Sequence, residues 1–174
     1  MLTVLQVNVS VNSGSTGRIA EQLGRYSESN GWRSVVAYGK RSNESKLELI
    51  RIGNRSDLIK HQVKSYLFDM HGLGSAISTS EFVNTTRTLR PDIIHLHNIH
   101  GYYINYPILF NLIAKEKIPL VWTLHDCWPI TGHCCYFSDI ECIKWKSECH
   151  NCPKKHSYPS SLFFDRSRSN FRKK

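Results

Sequence analysis

The chain has 174 residues, of which 40% are hydrophobic and 21% are charged, values normal for one soluble globular domain that buries its own core. The first residues lack the basic start of a secretory signal, and no apolar run approaches the roughly 18 residues of a membrane span. We therefore predict a cytoplasmic protein whose six cysteines stay reduced. The net charge of +9 indicates either an anionic partner (nucleotide, phospholipid surface or nucleic acid) or a solvated surface with a basic tail.

Strands and helices alternate along the first 126 residues. A Val- and Leu-rich strand over residues 2–10 leads into a glycine-containing turn and a helix that Ser15 or Thr16 can cap. Further strands are predicted over residues 34–38, 47–53, 91–98 and 118–126, and further helices over 56–70, 78–89 and 104–117. Ser78 and Glu81 have the spacing of a capping box, and Pro107 belongs in a first helical turn. The alternation predicts an α/β fold with a doubly wound, mostly parallel sheet.

Three polar loops follow predicted strands, at the sheet edge where such folds bind ligands. They read NSGSTG after the first strand, HLHNIHGYY after the strand from Pro91, and LHDCW after the strand from Ile118. The glycine turn offers free backbone N–H groups to a phosphate, although a merely structural helix cap explains it equally well. It matches neither GxGxxG nor GxxxxGK[ST], which argues against a nicotinamide cofactor and against a P-loop ATPase.

Histidines and one carboxylate lie in these loops. His95 and His97 alternate with one residue between them, so both side chains lie on one face of the strand. We expect His97, nearer the strand end, to reach the crevice and act on a hydroxyl, and His95 to pack inside. His125 and Asp126 end the next strand, where Asp126 can orient a hydroxyl or a histidine. Each residue taken singly is explained as well by a satisfied polar group at a strand end.

All six cysteines lie between Cys127 and Cys152, in a Cys-rich insert that we assign to residues 127–158. Cys149 and Cys152 form a C-x-x-C pair, which is typical of half of a tetrahedral zinc site. The other half must come from Cys127, His133, Cys134, Cys135 or Cys142. We predict a structural zinc that does no chemistry, ligated by Cys134, Cys142, Cys149 and Cys152. A disulfide pair or ordinary buried thiols are the alternatives. Residues 159–174 complete the division as a basic carboxyl-terminal tail.

Several long motifs together resemble family 4 glycosyltransferases, above all the bacterial putative colanic-acid or capsular polysaccharide transferases. They are GSTGRIA, PDIIHLHNIHGYYINYPILF, VWTLHDCWPITGHCCYF and KWKSECHNCPKKHSYPSSLFFDRS. The resemblance implies the GT-B fold, in which two Rossmann-like domains face each other across a cleft. The first domain mainly binds the acceptor, and the second binds the nucleotide-sugar donor and supplies an E-x7-E motif. Transfer in such enzymes retains the anomeric configuration and usually needs no metal, so we expect no cofactor for catalysis.

The resemblance also implies roles for particular residues. Gly14, Ser15 and Gly17 would lie beside the donor phosphates, and His97 would face the reacting centre. Asp126 would act with His97 there, while Asn98 and His125 would contact the acceptor. The pattern GHC…C…C..C recurs in the same group and falls on the four predicted zinc ligands. Residues 1–126 would then be the Rossmann-like acceptor-side domain.

The chain departs from the family pattern in lacking an E-x7-E motif and a second Rossmann unit. We interpret it as a fragment, a truncated product or half of a split enzyme, inactive alone and with a sheet edge prone to self-association. Acceptors in such pathways are often lipid-linked, so basic and aromatic surface near the cleft is expected to contact the inner membrane. The alternative function is a basic, zinc-stabilised nucleic-acid-binding module, which the lack of a base-reading motif disfavours.

Overall fold

A computed structural model of the chain describes residues 1–174, and its centre is a sheet of five parallel strands. The strands are β1 (Thr3–Val11), β2 (Arg33–Ser42), β3 (Glu48–Arg51), β4 (Ile93–Leu96) and β5 (Leu120–Trp122). Their order is β3-β2-β1-β4-β5, and every neighbouring pair is parallel. The chain thus starts in the middle of the sheet and winds outward in both directions, as Rossmann-like sheets do. The predicted α/β class is confirmed.

Five α-helices and three single 3-10 turns accompany the sheet. The helices are α1 (Gly14–Ser29), α2 (Arg55–Phe68), α3 (Ala76–Leu89), α4 (Tyr106–Glu116) and α5 (Ser167–Lys173), and the 3-10 turns are Trp128–Ile130, Ser138–Ile140 and Lys144–Lys146. Pro107 lies in the first turn of α4, as predicted. None of the helices combines the length and the apolar character needed to cross a bilayer.

Two predicted helix starts were wrong. Ser13, and neither Ser15 nor Thr16, is the N-cap residue of α1. Helix α3 begins at Ala76, so Ser78 lies within its first turn and its hydroxyl donates back to the carbonyl of Ser75. Serine competes for backbone partners at several positions near a helix start, which is why its spacing alone misplaces the cap.

The two faces of the sheet are packed differently. Leu5 and Val7 of β1 enter a large apolar core that continues into α3 and α4 through Phe82 and Leu109. The opposite face carries polar residues of β1, Gln6 and Asn8, both of them buried. Because β-strand side chains alternate between faces, one strand serves an apolar core on one side and a polar layer on the other.

Helix α1 covers the polar face at very short range. Its buried residues are Gly17, Ala20, Glu21 and Gly24. A Cβ atom at Gly24 would lie 2.4 Å from Leu47 Cδ1, and one at Gly17 would lie 2.8 Å from Ser10 Oγ. A side chain at either position would displace its neighbours, so glycine favours this close approach of helix to sheet, which brings the helix start close to the end of β1.

The last third of the chain is held to the fold at the end of α2. The Asp69 carboxylate accepts hydrogen bonds from His133 Nδ1 (2.7 Å) and from the backbone N–H of Arg166 (2.7 Å). The Asp69 carbonyl accepts a third from Asn170 in α5 (3.0 Å). The Cys-rich segment and the final helix therefore share one buried anchor. The predicted boundaries at residues 127, 158 and 159 stay predictions.

Candidate functional site

The carboxyl ends of β1, β4 and β5 meet at one edge of the sheet, and the three predicted loops meet there too. A buried amide links the first two loops, because Asn8 Oδ1 accepts from the backbone N–H of Asn98 (3.2 Å) while Asn8 Nδ2 donates to Thr16 Oγ1 (3.4 Å). Sequence reasoning missed Asn8, although an asparagine inside an apolar strand is a signal for such a link.

The turn from β1 to α1 exposes backbone N–H groups and carries no charged side chain. Asn12 and Gly14 adopt left-handed conformations, with φ of 45° and 67°. The Ser13 side chain makes no capping hydrogen bond, and both Gly14 and Ser15 are exposed. The first N–H groups of α1 therefore have no side-chain acceptor in the cap, an arrangement that suits an anionic ligand.

The expected exposure of the two strand histidines was the wrong way round. His97 is buried, with 1% of its surface exposed, and His95 is half-buried with a hydrogen bond to Thr123 Oγ1 (2.8 Å). The His97 ring is covered on two sides, by the Gln6 side chain at Nε2 and by the His125 ring at a centroid distance of 5.3 Å. The prediction that both share one face is confirmed by a ring-centroid distance of 4.2 Å.

Hydrogen bonds fix the tautomer of His97. Gln6 Nε2 donates to the Ala20 carbonyl (3.0 Å), so Gln6 Oε1 is the atom that faces His97 Nε2 (3.0 Å). Nε2 must then carry the proton, which leaves Nδ1 as the acceptor for His125 Nε2 (3.1 Å). Burial, followed by the neighbouring His95 and His125, lowers the pKa of His97 to about 3. His97 is thus a neutral base whose only lone pair is shared with His125.

Asp126 is paired with a histidine that the sequence reasoning did not select. His100 Nε2 lies 2.5 Å from Asp126 Oδ2, and Tyr158 Oη lies 3.1 Å from His100 Nδ1. Asp126 Oδ1 also accepts the N–H of Trp128 (2.9 Å). Burial raises the pKa of Asp126, but the hydrogen bond and charge of His100 outweigh it, so the pKa is lowered overall. His100 follows the HLH strand end by three residues, and its place in that loop was the available signal.

A buried histidine lies beside this pair. His71 contacts the rings of His100, Tyr102, Trp128 and Tyr158 at centroid distances of 4.9–5.9 Å. Neither of its ring nitrogens has a hydrogen-bond partner. Burial holds its pKa well below the usual range, so this imidazole is a neutral member of an aromatic cluster that backs the Asp126–His100 pair.

The four predicted zinc ligands line one small cavity of about 20 Å³. Cys134 is buried, the other three are half-buried, and no disulfide joins any of the six cysteines. The thiols of Cys134 and Cys152 are hydrogen-bonded to each other, which lowers the pKa of Cys134 to about 6. Cys127 and Cys135, the two cysteines that were not predicted to bind zinc, do not line the cavity.

One other group of side chains has metal-ligand chemistry. Ligand atoms of His100, Asp126 and Cys135 all lie within 4.8 Å of one another. Both nitrogens of His100 are already hydrogen-bonded within the chain, as described above, so this group is accounted for as a hydrogen-bonded pair beside a buried thiol. The four cavity cysteines surround their cavity at wider spacing than this.

Comparison with known proteins agrees with the fold and with the motifs. The family model Glycosyltransferase Family 4 matches residues 16–173. The chain belongs to this family. It is 31% identical over 172 positions to the putative colanic acid biosynthesis glycosyl transferase WcaC of Escherichia coli K12. The match covers 91% of this chain but only 41% of that relative, so the chain spans less than half the length of the protein it resembles.

Proposed function

We propose that this chain is the acceptor-side part of a retaining glycosyltransferase. The whole enzyme would move a sugar from a nucleotide-sugar donor to a glycan or lipid-linked acceptor in cytoplasmic polysaccharide biosynthesis. Membership of family 4 and the similarity to the E. coli colanic acid biosynthesis protein support the reaction class. The observation that carries the proposal is the meeting of the β1, β4 and β5 loops at one sheet edge, the usual ligand edge of such folds.

Two residues are proposed to act at the reacting centre. Asp126 is held by His100 and the Trp128 N–H, so it is oriented to accept a hydrogen bond from an acceptor hydroxyl. His97 offers Nδ1 as a base, but this atom is engaged by His125. A hydroxyl therefore reaches His97 only when His125 turns away or relays the proton. This gives His125 an acceptor-side role. Asn98, which follows His97 on the β4 loop, is proposed to share that role.

The donor side is proposed to use backbone groups. Gly14, Ser15 and Gly17 belong to the turn whose N–H groups lack a side-chain cap, and Gly17 lets that turn lie against β1. A diphosphate bound there would interact with the positive end of α1. The remaining donor contacts, including the acidic motif, are proposed to come from a further domain, so this chain alone would bind acceptor without transferring sugar.

A membrane contact is proposed at the outer face of α2. Ile59, Val63 and Tyr66 are exposed there, and Phe68 contacts the ring of Phe164 (centroids 5.8 Å). Lys60 and Lys64 lie exposed among them on the same helix. Apolar and cationic side chains mixed in this way suit an anionic lipid surface.

Transfer activity tests the proposal. The whole enzyme, meaning this chain together with the proposed further donor-binding domain, would be incubated with a panel of labelled nucleotide-sugars and a lipid extract, and the product anomer would be read by NMR. We expect Asp126→Asn to reduce transfer by at least tenfold and Asp139→Asn, an exposed carboxylate paired only with Lys154, to leave it unchanged. Equal activity in both variants would remove Asp126 from the site, and an inverted product would refute retention.

Two binding measurements test the partner proposals separately. Saturation-transfer NMR on the 174-residue chain should show glycan binding that His125→Ala weakens, and no transfer when donor is added. Vesicle flotation should show binding to anionic vesicles that the double change Val63→Glu and Lys64→Glu removes. Flotation that is independent of anionic lipid would refute the membrane contact and leave the transferase proposal standing.

A further inference from the structure

The Cys-rich segment is long and has almost no regular structure of its own. The stretch between β5 and α5, residues 123–166, includes this segment and contains only three single 3-10 turns. Its large apolar side chains Tyr136, Ile140 and Ile143 are exposed, so it does not close a hydrophobic core of its own. Loops of this length inside a compact domain are uncommon unless something else holds them.

The chain's own polar contacts hold the segment at its edges, and in its middle they lie at exposed positions. There Lys144 donates to the carbonyls of His150 and Asn151 (2.9 and 3.0 Å), and Glu148 pairs with two arginines of α5. At one side His133 is bound to Asp69, and at the other the N–H of Cys152 donates to Asp165 (2.5 Å). Lys154 pairs with the exposed Asp139, a contact that solvent weakens. No disulfide supplies a covalent link.

The middle of the segment surrounds the small cavity. With about 20 Å³ it has room for one ion or one water molecule. Its lining includes Cys134, Cys142, Cys149 and Cys152, which come from four separate points of the segment.

A second observation at the same cavity also indicates a missing ligand. His133 lines the cavity and is 2% exposed. Its Nδ1 is used by Asp69, yet its Nε2 is buried without any hydrogen-bond partner. A buried polar atom left without a partner is costly, and an unsatisfied one calls for an ion or a water.

We infer that this cavity is a structural zinc site, ligated by the thiolates of Cys134, Cys142, Cys149 and Cys152. The half-buried sulfur atoms turn inward on the ion, and their protons leave to solvent as the metal binds. His133, fixed by Asp69, is a positioning residue: its Nε2 lies against the ligands, where a thiolate sulfur supplies the hydrogen-bond acceptor that the cavity otherwise lacks. The four ligands close the coordination sphere, so the ion does no chemistry and shapes the segment that carries Tyr158 to His100.

Metal content of matched variants tests the inference. Elemental mass spectrometry on the purified full chain should give one zinc per chain for the native sequence and for Cys127→Ser, a half-buried cysteine outside the lining. Cys149→Ser and Cys152→Ser should each lower the content at least fivefold. Equal zinc in all four proteins, or none in the native chain, would overturn the site.

Cobalt binding gives an answer that does not depend on whether a variant folds. Co²⁺ added to the native chain, stripped of metal by chelator, should give intense thiolate-to-metal absorption with the pattern of a tetrahedral four-sulfur site. A spectrum with a single sulfur ligand would move the metal to His100, Asp126 and Cys135. The four-thiolate set would be overturned if His133→Gln lost the metal while Cys142→Ser kept it. It would also be overturned if mass spectrometry of freshly reduced protein found a disulfide between Cys134 and Cys152.

Discussion

Acid should destabilise the fold through His97, and the size of the effect follows from its surroundings. The pKa of His97 is lowered to about 3 in the folded chain, against 6.5 when unfolded. The unfolded state therefore binds the extra proton as the pH falls below 6.5, and stability is lost across the window from 6.5 down to about 3. Between pH 7 and pH 5 the loss from this one histidine is about 2 kcal/mol, at about 1.4 kcal/mol per pH unit below 6.5.

His97→Gln isolates this contribution. The glutamine amide can still donate to Gln6 Oε1 but does not titrate, so urea unfolding at pH 7 and pH 5 should show a loss smaller than native by about 2 kcal/mol. His61, whose pKa burial lowers to about 4, acts equally in both proteins and cancels. His156→Gln, at an exposed position, should keep the native pH dependence. The reasoning is refuted if native protein and His97→Gln lose the same stability.

Three further changes test the packing. Asp69→Asn weakens the carboxylate that His133 and the Arg166 N–H share, and we expect a loss of about 3–5 kcal/mol by denaturant unfolding, as for other broken buried pairs; a loss as small as that of Asp139→Asn would contradict this. Gly17→Ala places a Cβ 2.8 Å from Ser10 Oγ and should cost about 1–3 kcal/mol by the same measurement, whereas the exposed Ser15→Ala should cost little. Val121→Lys charges the exposed edge strand β5 and should lower self-association, measured by sedimentation velocity. The same size distribution for the native chain and for Val121→Lys would contradict an edge contact.

The fold could be predicted because its signals are local. A short run of β-branched and apolar residues indicates each strand of the sheet, and apolar spacing or a proline in the first turn indicates each helix. The alternation of the two then leaves few topologies, of which the observed order is one. Helix starts were predicted less well, since Ser13, Ser15, Ser75 and Ser78 all have cap chemistry and only packing selects between them.

The site was predicted as a set of loops but not as a set of contacts. The partner of Asp126 is His100, 26 positions earlier, and the partner of His133 is Asp69, 64 positions earlier. Pairings over such separations depend on how α2 and the Cys-rich segment pack against each other, which no local pattern encodes. The burial of His97 follows from Gln6, 91 positions away, on a strand whose residue 6 could have faced either side.

The polar face of the sheet explains why a buried histidine can belong to a reaction site. Gln6 is held by the Ala20 carbonyl of α1, holds the proton of His97, and so leaves the His97 lone pair to His125 at the loop surface. Helix α1 can contribute only because Gly17 and Gly24 let it approach the sheet. The start of α1 is linked to the β4 loop through Asn8, which contacts both the Thr16 hydroxyl and the Asn98 N–H. Both the proposed phosphate contact and the proposed base therefore depend on one feature, the small residues along the buried side of α1, and a side chain added there should weaken donor and acceptor binding together.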